Sequence, residues 1–168
     1  MRIREREQMA LAFLLGRLKS HLRVTADDLD GELMAKLTAA ADSAEHFIGK
    51  VILKSDFTDT FPFSPSIALC RPLISVGGVK VDGVDLPAGG YDVDLFAGVV
   101  TIPGDVTGRA VTVDYSAGME TVPSDIANAI LLMASSMFAN PMDSVETLPK
   151  ASSALLRPHR DFIGMPNA

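Results

Sequence analysis

Pro123-Ser-Asp-Ile-Ala-Asn-Ala-Ile-Leu-Leu-Met-Ala-Ser-Ser-Met-Phe138 is the most decisively helical and most thoroughly apolar run in the chain. Pro123 suits a first helical turn, because its missing N–H would be unpaired there and its φ is already helical. Ser124 and Asp125 set an oxygen acceptor and a negative charge at the positive end of the helix dipole. Ile126, Ile130, Met133 and Met137 follow helical spacing, and Ala127, Leu131, Ala134 and Phe138 form a second stripe beside them. Two adjoining apolar stripes cover most of a helix, so this one belongs in a core or a subunit interface. It is too short and too well capped to span a bilayer. The rest of the fold is expected to pack around it.

The 168 residues correspond to about one domain by length and are enough to bury a proper core. Hydrophobic residues make up 48% and charged residues 21%, a globular composition that argues against global disorder. The net charge is −6, the wrong sign for a protein that grips nucleic acid phosphates. DNA is therefore expected only as a passing, non-specific neighbour. The single cysteine, Cys70, excludes an intrachain disulfide and fits a reducing compartment. Eight methionines and no tryptophan suggest an adaptable core. Met1–Gly16 has the charged start and apolar centre of a targeting signal. Glu5 and Glu7 among its arginines, and the lack of a small-x-small site before Lys19, favour a soluble intracellular chain instead.

Upstream of the opening stretch, periodicity predicts a helix over about residues 4–22, with Leu11, Leu14, Leu15, Leu18 and Leu22 on one face. Arg17, Lys19 and Arg23 gather near its C-terminal end, where the dipole favours cations; a solvated face is preferred over a phosphate site. Thr25 reads as an N-cap, with Asp28 where a capping box expects Glu. A second long helix then runs to Gly49, a natural C-terminal stop. Leu33 and Leu37 are its core candidates, to be met by Ile126, Ile130 and Met133 of the opening stretch. Alanines at 39–41 and 44 allow another helix to approach closely.

Between residues 52 and 118 the period changes to two. Ile74–Val76 and Val79–Val81 flank Gly77-Gly78 as a hairpin would. Val81-Asp-Gly-Val84 adds a further turn. Tyr91–Leu95 and Arg109–Tyr115 alternate strictly. The expected fold is α+β. It has a core of two long helices with a shorter N-terminal one, an inserted antiparallel sheet of four to six strands, and an extended C-terminal tail. All of it is expected to form a single domain: residues 1–50 helical, 52–118 the β insert, 119–140 the core helix, and 141–168 a loop, short helix and tail.

The inventory of chemical groups points away from an enzyme. His21, His46 and His159 are scattered, with no metal-ligand spacing, so no metal and no cofactor is expected. Cys70, beside Arg71, reads as a buried structural thiol rather than a nucleophile. The glycine pairs do not open helices and make no phosphate loop. Asp92 and Asp94 fall on one solvent face without the spacing of a calcium loop.

Three stretches, in order, carry a resemblance: Leu18-Lys-Ser-His-Leu-Arg-Val24 before an acidic helix start, the β segment with Tyr91-Asp-Val-Asp-Leu and Val111-Thr-Val-Asp-Tyr-Ser-Ala-Gly118, and Val122-Pro-Ser-Asp-Ile-Ala-Asn-Ala-Ile-Leu-Leu132. Together the sequence resembles the head–tail connector (adaptor) proteins of tailed bacteriophages and gene transfer agents, and Leu148–Arg160 is similar to how such chains end. The resemblance spans about Leu15 to Arg160 and rests on the order of the pieces. It departs from the family at Ser135–Asn140, where relatives carry an aromatic and then a polar run.

The resemblance implies a closed ring of copies, typically twelve, beneath the portal at the virion neck, assembled in the bacterial host cytoplasm. Such a ring extends the DNA channel and offers a platform to a head-closure or tail-end protein. It further implies that the C-terminal segment docks on the portal, through Leu155, Leu156, Arg157, His159, Arg160, Phe162 and Ile163. No membrane partner is expected. The competing reading is a non-catalytic binding module whose β insert recognises a peptide or carbohydrate.

Overall fold

The computed structural model describes residues 2–6, 8–140 and 149–160. The fold is α+β, and its internal contacts separate a helical unit (residues 8–53, 121–140 and 149–160) from a β unit (residues 2–6 and 54–120). Among the described residues no helix is long and apolar enough to cross a membrane.

The helical unit is built from α1 (Gln8–Leu22), α2 (Asp30–Ile48), α3 (Ser124–Ala139) and α4 (Lys150–Leu156). α3 is the helix of the opening stretch, and α1, α2 and α4 all pack on it. Leu33, Leu37, Ile126 and Ile130 are 0% exposed and Met133 is 1% exposed, so these five side chains lie in the interior. Ala40, Ala41 and Ala44 of α2 and Ala127 and Ala134 of α3 are also buried. Small side chains let the two backbones approach while larger residues fill the space between. Gly49 closes α2 in the left-handed conformation with φ of 71°, its N–H bonded to the carbonyl of Glu45.

Three boundaries differ from the sequence expectation. The helix expected over residues 4–22 is instead a strand, β1 (Arg2–Arg6), followed by α1. β1 pairs antiparallel with β2 (Ser55–Pro62), from Arg2 opposite Asp59 to Arg6 opposite Ser55. A strand rich in charged residues suits a sheet edge, which local helical spacing does not reveal. Second, α2 starts at Asp30 rather than after Thr25, with Leu29 at its N-cap and no side-chain cap. In place of the expected box of Thr25 and Asp28, Arg23 turns the chain with a left-handed φ of 58° and Lys19 bonds Asp27 and Asp30. Third, Pro123 sits at the N-cap of α3 with an extended ψ of 145°, one position before the helix.

The β unit holds two antiparallel sheets instead of one. The larger runs β1-β2-β8-β4-β5, with β8 (Ala110–Ala117) between β2 and β4 (Leu73–Val81), and β5 (Val84–Asp85) at the far edge. The smaller runs β3-β7-β6, from Ser66–Ala68, Val99–Thr101 and Asp92–Asp94. β8 alternates along its whole length, burying Val111, Val113, Tyr115 and Ala117. Phe57 stacks on Tyr115 with centroids 5.1 Å apart.

The hairpin expected at Gly77-Gly78 is absent: β4 passes straight through both glycines. A two-residue hairpin needs positive φ at its central positions, and neither glycine has it. They accompany register shifts against β8, between Leu73 and Ser75 and between Val76 and Gly78. The tight turn is five residues on, at Asp82-Gly83, where φ is 48° and 84°. Asp82 Oδ1 accepts from the amides of Arg109 and Ala110 at 3.0 and 2.9 Å, and these bonds hold its carboxyl below its ordinary value. The turn is thereby tied to the start of β8.

Candidate functional site

No group of three or more His, Cys, Asp or Glu side chains that could hold a metal ion occurs among the described residues. The titratable groups with a clear environment serve the fold. Tyr115 donates its hydroxyl to Asp59 at 2.7 Å, and burial, first of all, pushes that hydroxyl's pKa up. Cys70 forms no disulfide and is 1% exposed, and it sits beside the Tyr115 hydroxyl, which accepts from its backbone N–H. Two surface features stand out, a groove in the helical unit and an exposed aromatic turn in the β unit.

In the helical unit a shallow groove of about 680 Å³ lies between α1 and α3. α1 supplies Ala12, Phe13, Gly16, Arg17, Ser20 and His21, and α3 supplies Asn128 and Leu131. Gly16 leaves an open floor, since a Cβ built there meets nothing within 4 Å. Phe13 stands at the rim, 68% exposed, with the Arg17 guanidinium 5.9 Å from its ring centre. Arg17 also donates to Asn128 Oδ1 at 3.0 Å, which fixes the cation across the groove.

The three cations near the end of α1 part company. Lys19 Nζ lies 2.6 Å from Asp27 and 2.7 Å from Asp30, bonds that raise its pKa and lower that of Asp27. Arg17 faces the groove, and Arg23 is exposed on its turn. Two of the three cations are therefore held by side chains of the helical unit.

In the β unit, β6 and β7 are joined by the loop Leu95-Phe96-Ala97-Gly98. Asp94 bridges it twice, its Oδ1 accepting from Ala97 N at 2.8 Å and its carbonyl from Gly98 N at 2.8 Å. Gly98 needs its φ of 68° and has no room for a side chain, because a Cβ would come within 2.5 Å of Arg71 Cγ. Its carbonyl accepts from Leu69 N at 2.8 Å. The outcome is a well-anchored turn that holds Phe96 98% exposed.

The C-terminal segment differs from an extended tail at its start. Arg157–His159 form a turn of 3-10 helix directly after α4. His159 Nε2 donates to Asp125 Oδ2 at 2.6 Å, a bond that holds the Asp125 carboxyl below its ordinary value. The Arg160 guanidinium lies 5.5 Å from the centre of the Phe47 ring. Of the proposed docking residues, Leu156 is 0% exposed and serves the interior, Leu155 is half-buried, and Arg157 and Arg160 are exposed. Phe162 and Ile163 lie outside the described residues.

Sequence reasoning missed the groove and the Phe96 turn. Phe13 sits off the leucine stripe of α1, and Phe96 falls between a strand and its turn, where alternation gives no signal. A large aromatic inside an Asp-to-Gly hairpin loop was the available clue.

No protein-family model matches the sequence, and no curated protein matches it. Solved structures do share its fold. A chain in the neck of a native gene transfer agent particle, computed with C12 symmetry, aligns with a TM-score of 0.74 at 19% identity over 100% of this chain and 97% of that one. A chain in the neck of an empty gene transfer agent particle, computed with C6 symmetry, aligns with a TM-score of 0.74 at 21% identity over the same shares. A third, from the virion of a native gene transfer agent particle, aligns with a TM-score of 0.68 at 19% identity over 92% and 90%.

Proposed function

We propose that this chain is a head–tail connector, a structural protein of the particle neck that closes into a ring beneath the portal. The observation that carries this reading is end-to-end agreement of fold with a chain in a neck computed with C12 symmetry: 100% of this chain pairs with 97% of that one. Both chains are matched almost whole, so the likeness is not confined to one unit of the fold. Twelve is the number of copies proposed, compatible with necks computed with C12 and with C6 symmetry. A heterologous interface whose rotation closes gives such a ring.

Charge supports the channel role. At −6 per chain, the ring carries the sign of DNA, so a duplex passing through its lumen slides without being held. The work of this protein is mechanical: to join, align and leave open. No turnover enters this role.

The portal is the partner proposed above the ring, and a head-closure or tail-end protein the one below. The docking segment begins where α4 ends. Leu156 and His159 anchor it to the helical unit, while Arg157 and Arg160 offer exposed charge. The residues after Arg160, with Phe162 and Ile163, are proposed to reach the portal. Co-purification with a portal protein from the same particle tests the reading. Electron micrographs should show twelve-fold rings stacked on portal rings, and removal of residues 161–168 should abolish the stacking while leaving the melting temperature of the isolated chain nearly unchanged. A chain that never associates with itself or with the portal overturns the proposal.

A further inference from the structure

We propose that the Phe96 turn of one copy fills the α1/α3 groove of the next copy, and that this knob and groove are the contact that closes the ring. The inference rests on the ring reading above and deepens it by naming the two surfaces. A ring needs two different patches on each copy that fit one another. The knob belongs to the β unit and the groove to the helical unit, so the pair is heterologous.

The knob is built rather than frayed. Phe96 is 98% exposed and Leu95 50%, on a loop held by the Asp94 bridges and by the bond from Leu69 N to Gly98 O. A rigid turn that offers a ring to solvent has already lost the entropy that binding would otherwise cost, which is how interface anchors work. The groove matches it in character. Its floor is Ala12, Gly16 and Leu131, and its rim is Phe13, available for an edge-to-face contact with a second ring.

Charge selects a second copy as the occupant. Asp92 and Asp94 are exposed beside the knob. Arg17 and His21 border the groove, with the exposed Arg23 close by in sequence. Acidic flanks meeting a basic rim steer the encounter and fix its register. The groove does not suit DNA, which would demand more than this rim supplies and gain nothing from an apolar floor.

The test compares three chains by electron microscopy and by sedimentation, alone and with the portal protein. Phe96→Asp removes the knob at a fully exposed site. Gly16→Leu fills the groove from an exposed helix position with open space above it and improves helix propensity, so the fold is retained. Both should keep the melting temperature of the isolated chain and weaken ring formation by about tenfold or more. Separately, a Phe96→Cys chain mixed with a Ser20→Cys chain should give a bismaleimide-linked mixed dimer well above either chain alone, with buried Cys70 as a silent background.

Rings that form normally from both variants overturn this contact and leave the ring reading standing. Rings of Phe96→Asp that form but fail to bind a tail-end protein overturn it too, since Phe96 then meets a different partner. Failure of the unchanged chain to form any ring, alone or on the portal, overturns both the ring reading and the contact.

Discussion

In the helical unit the facing surfaces of α2 and α3 are nearly all hydrocarbon, with Glu45 the charged member of the buried set on α2. In the β unit the buried Phe57, Val79 and Val113 share the interior with Ser55, Asp59 and the hydroxyl of Tyr115. Helices meet through shape, and a helix displaced along its neighbour still presents an apolar stripe. A strand displaced by one residue turns its whole buried set to water. The β unit accordingly carries polar pairs that are satisfied in one register only: Tyr115 to Asp59, Thr58 to Asp114 at 2.6 Å, and Ser116 to Asp56. The helical unit uses its buried carboxylate elsewhere. Glu45 Oε1 accepts from the amides of Ile52 and Leu53, at 2.8 and 3.1 Å, and so fixes the chain as it leaves α2.

Each part of this contrast can be broken separately. The largest effect is expected from a charge placed in the hydrocarbon layer. Leu37→Asp or Ile130→Asp leaves an unpaired buried carboxylate at a cost of several kcal/mol, enough to abolish soluble folding, as soluble yield and thermal melting will show. A cooperatively melting protein from either variant would mean that the α2–α3 layer does not hold the unit together.

Next in size is Glu45→Ala, which leaves two buried amides without this acceptor, at roughly 1–3 kcal/mol each. Glu45→Gln keeps a carbonyl oxygen in place and should retain most of the stability in urea titration. Equal losses from the two would show that charge, not the acceptor, is what matters there.

Tyr115→Phe should cost somewhat less, roughly 1–3 kcal/mol, because one hydroxyl and its bond to Asp59 are removed. Hydrogen exchange sharpens the comparison: protection should fall in β2 and β8 and stay unchanged in α2. A uniform loss across the chain would count against a register role.

The smallest effect concerns Asp125. Its carboxyl is held below the ordinary value of 3.8, first by the bond from His159. The contribution is complete at neutral pH and is lost as pH falls from that value through the lower folded one. The side chain is 38% exposed, so solvent screens much of the effect. Asp125→Asn should flatten the acid limb of the melting curve slightly and leave the neutral plateau almost where it is. An unchanged acid limb would remove the pair from the account of how the C-terminal turn is held.

What could be read from the sequence was whatever one element decides alone. α3 carries its stripes in one uninterrupted run, Gly49 announces the end of α2, and the alternation of β8 matches its burial residue by residue. The errors came where a distant partner decides. β1 looks like the flank of a helix until β2 is there to pair with its backbone. Gly77-Gly78 looks like a turn until β8 holds both sides of it in one strand. The groove and the Phe96 turn had no periodic signal at all. Each depends on a residue left out of its element's buried stripe, and exposure is visible only once the stripe has found its partner.

Asp82-Gly83 bears on how this protein ages. Aspartyl-glycine bonds are among those at which polypeptides rearrange: the glycine amide nitrogen attacks the aspartyl side-chain carbonyl, water leaves as the succinimide closes, and hydrolysis of the ring gives isoaspartate. Here the carboxylate is held ionised by the Arg109 and Ala110 amides, which makes it a poor electrophile, and the turn fixes the backbone around it. Rearrangement at this bond therefore waits on unfolding. Isoaspartate at position 82, measured against time in stored and in urea-treated protein, becomes a chemical clock that runs only while the β unit is open.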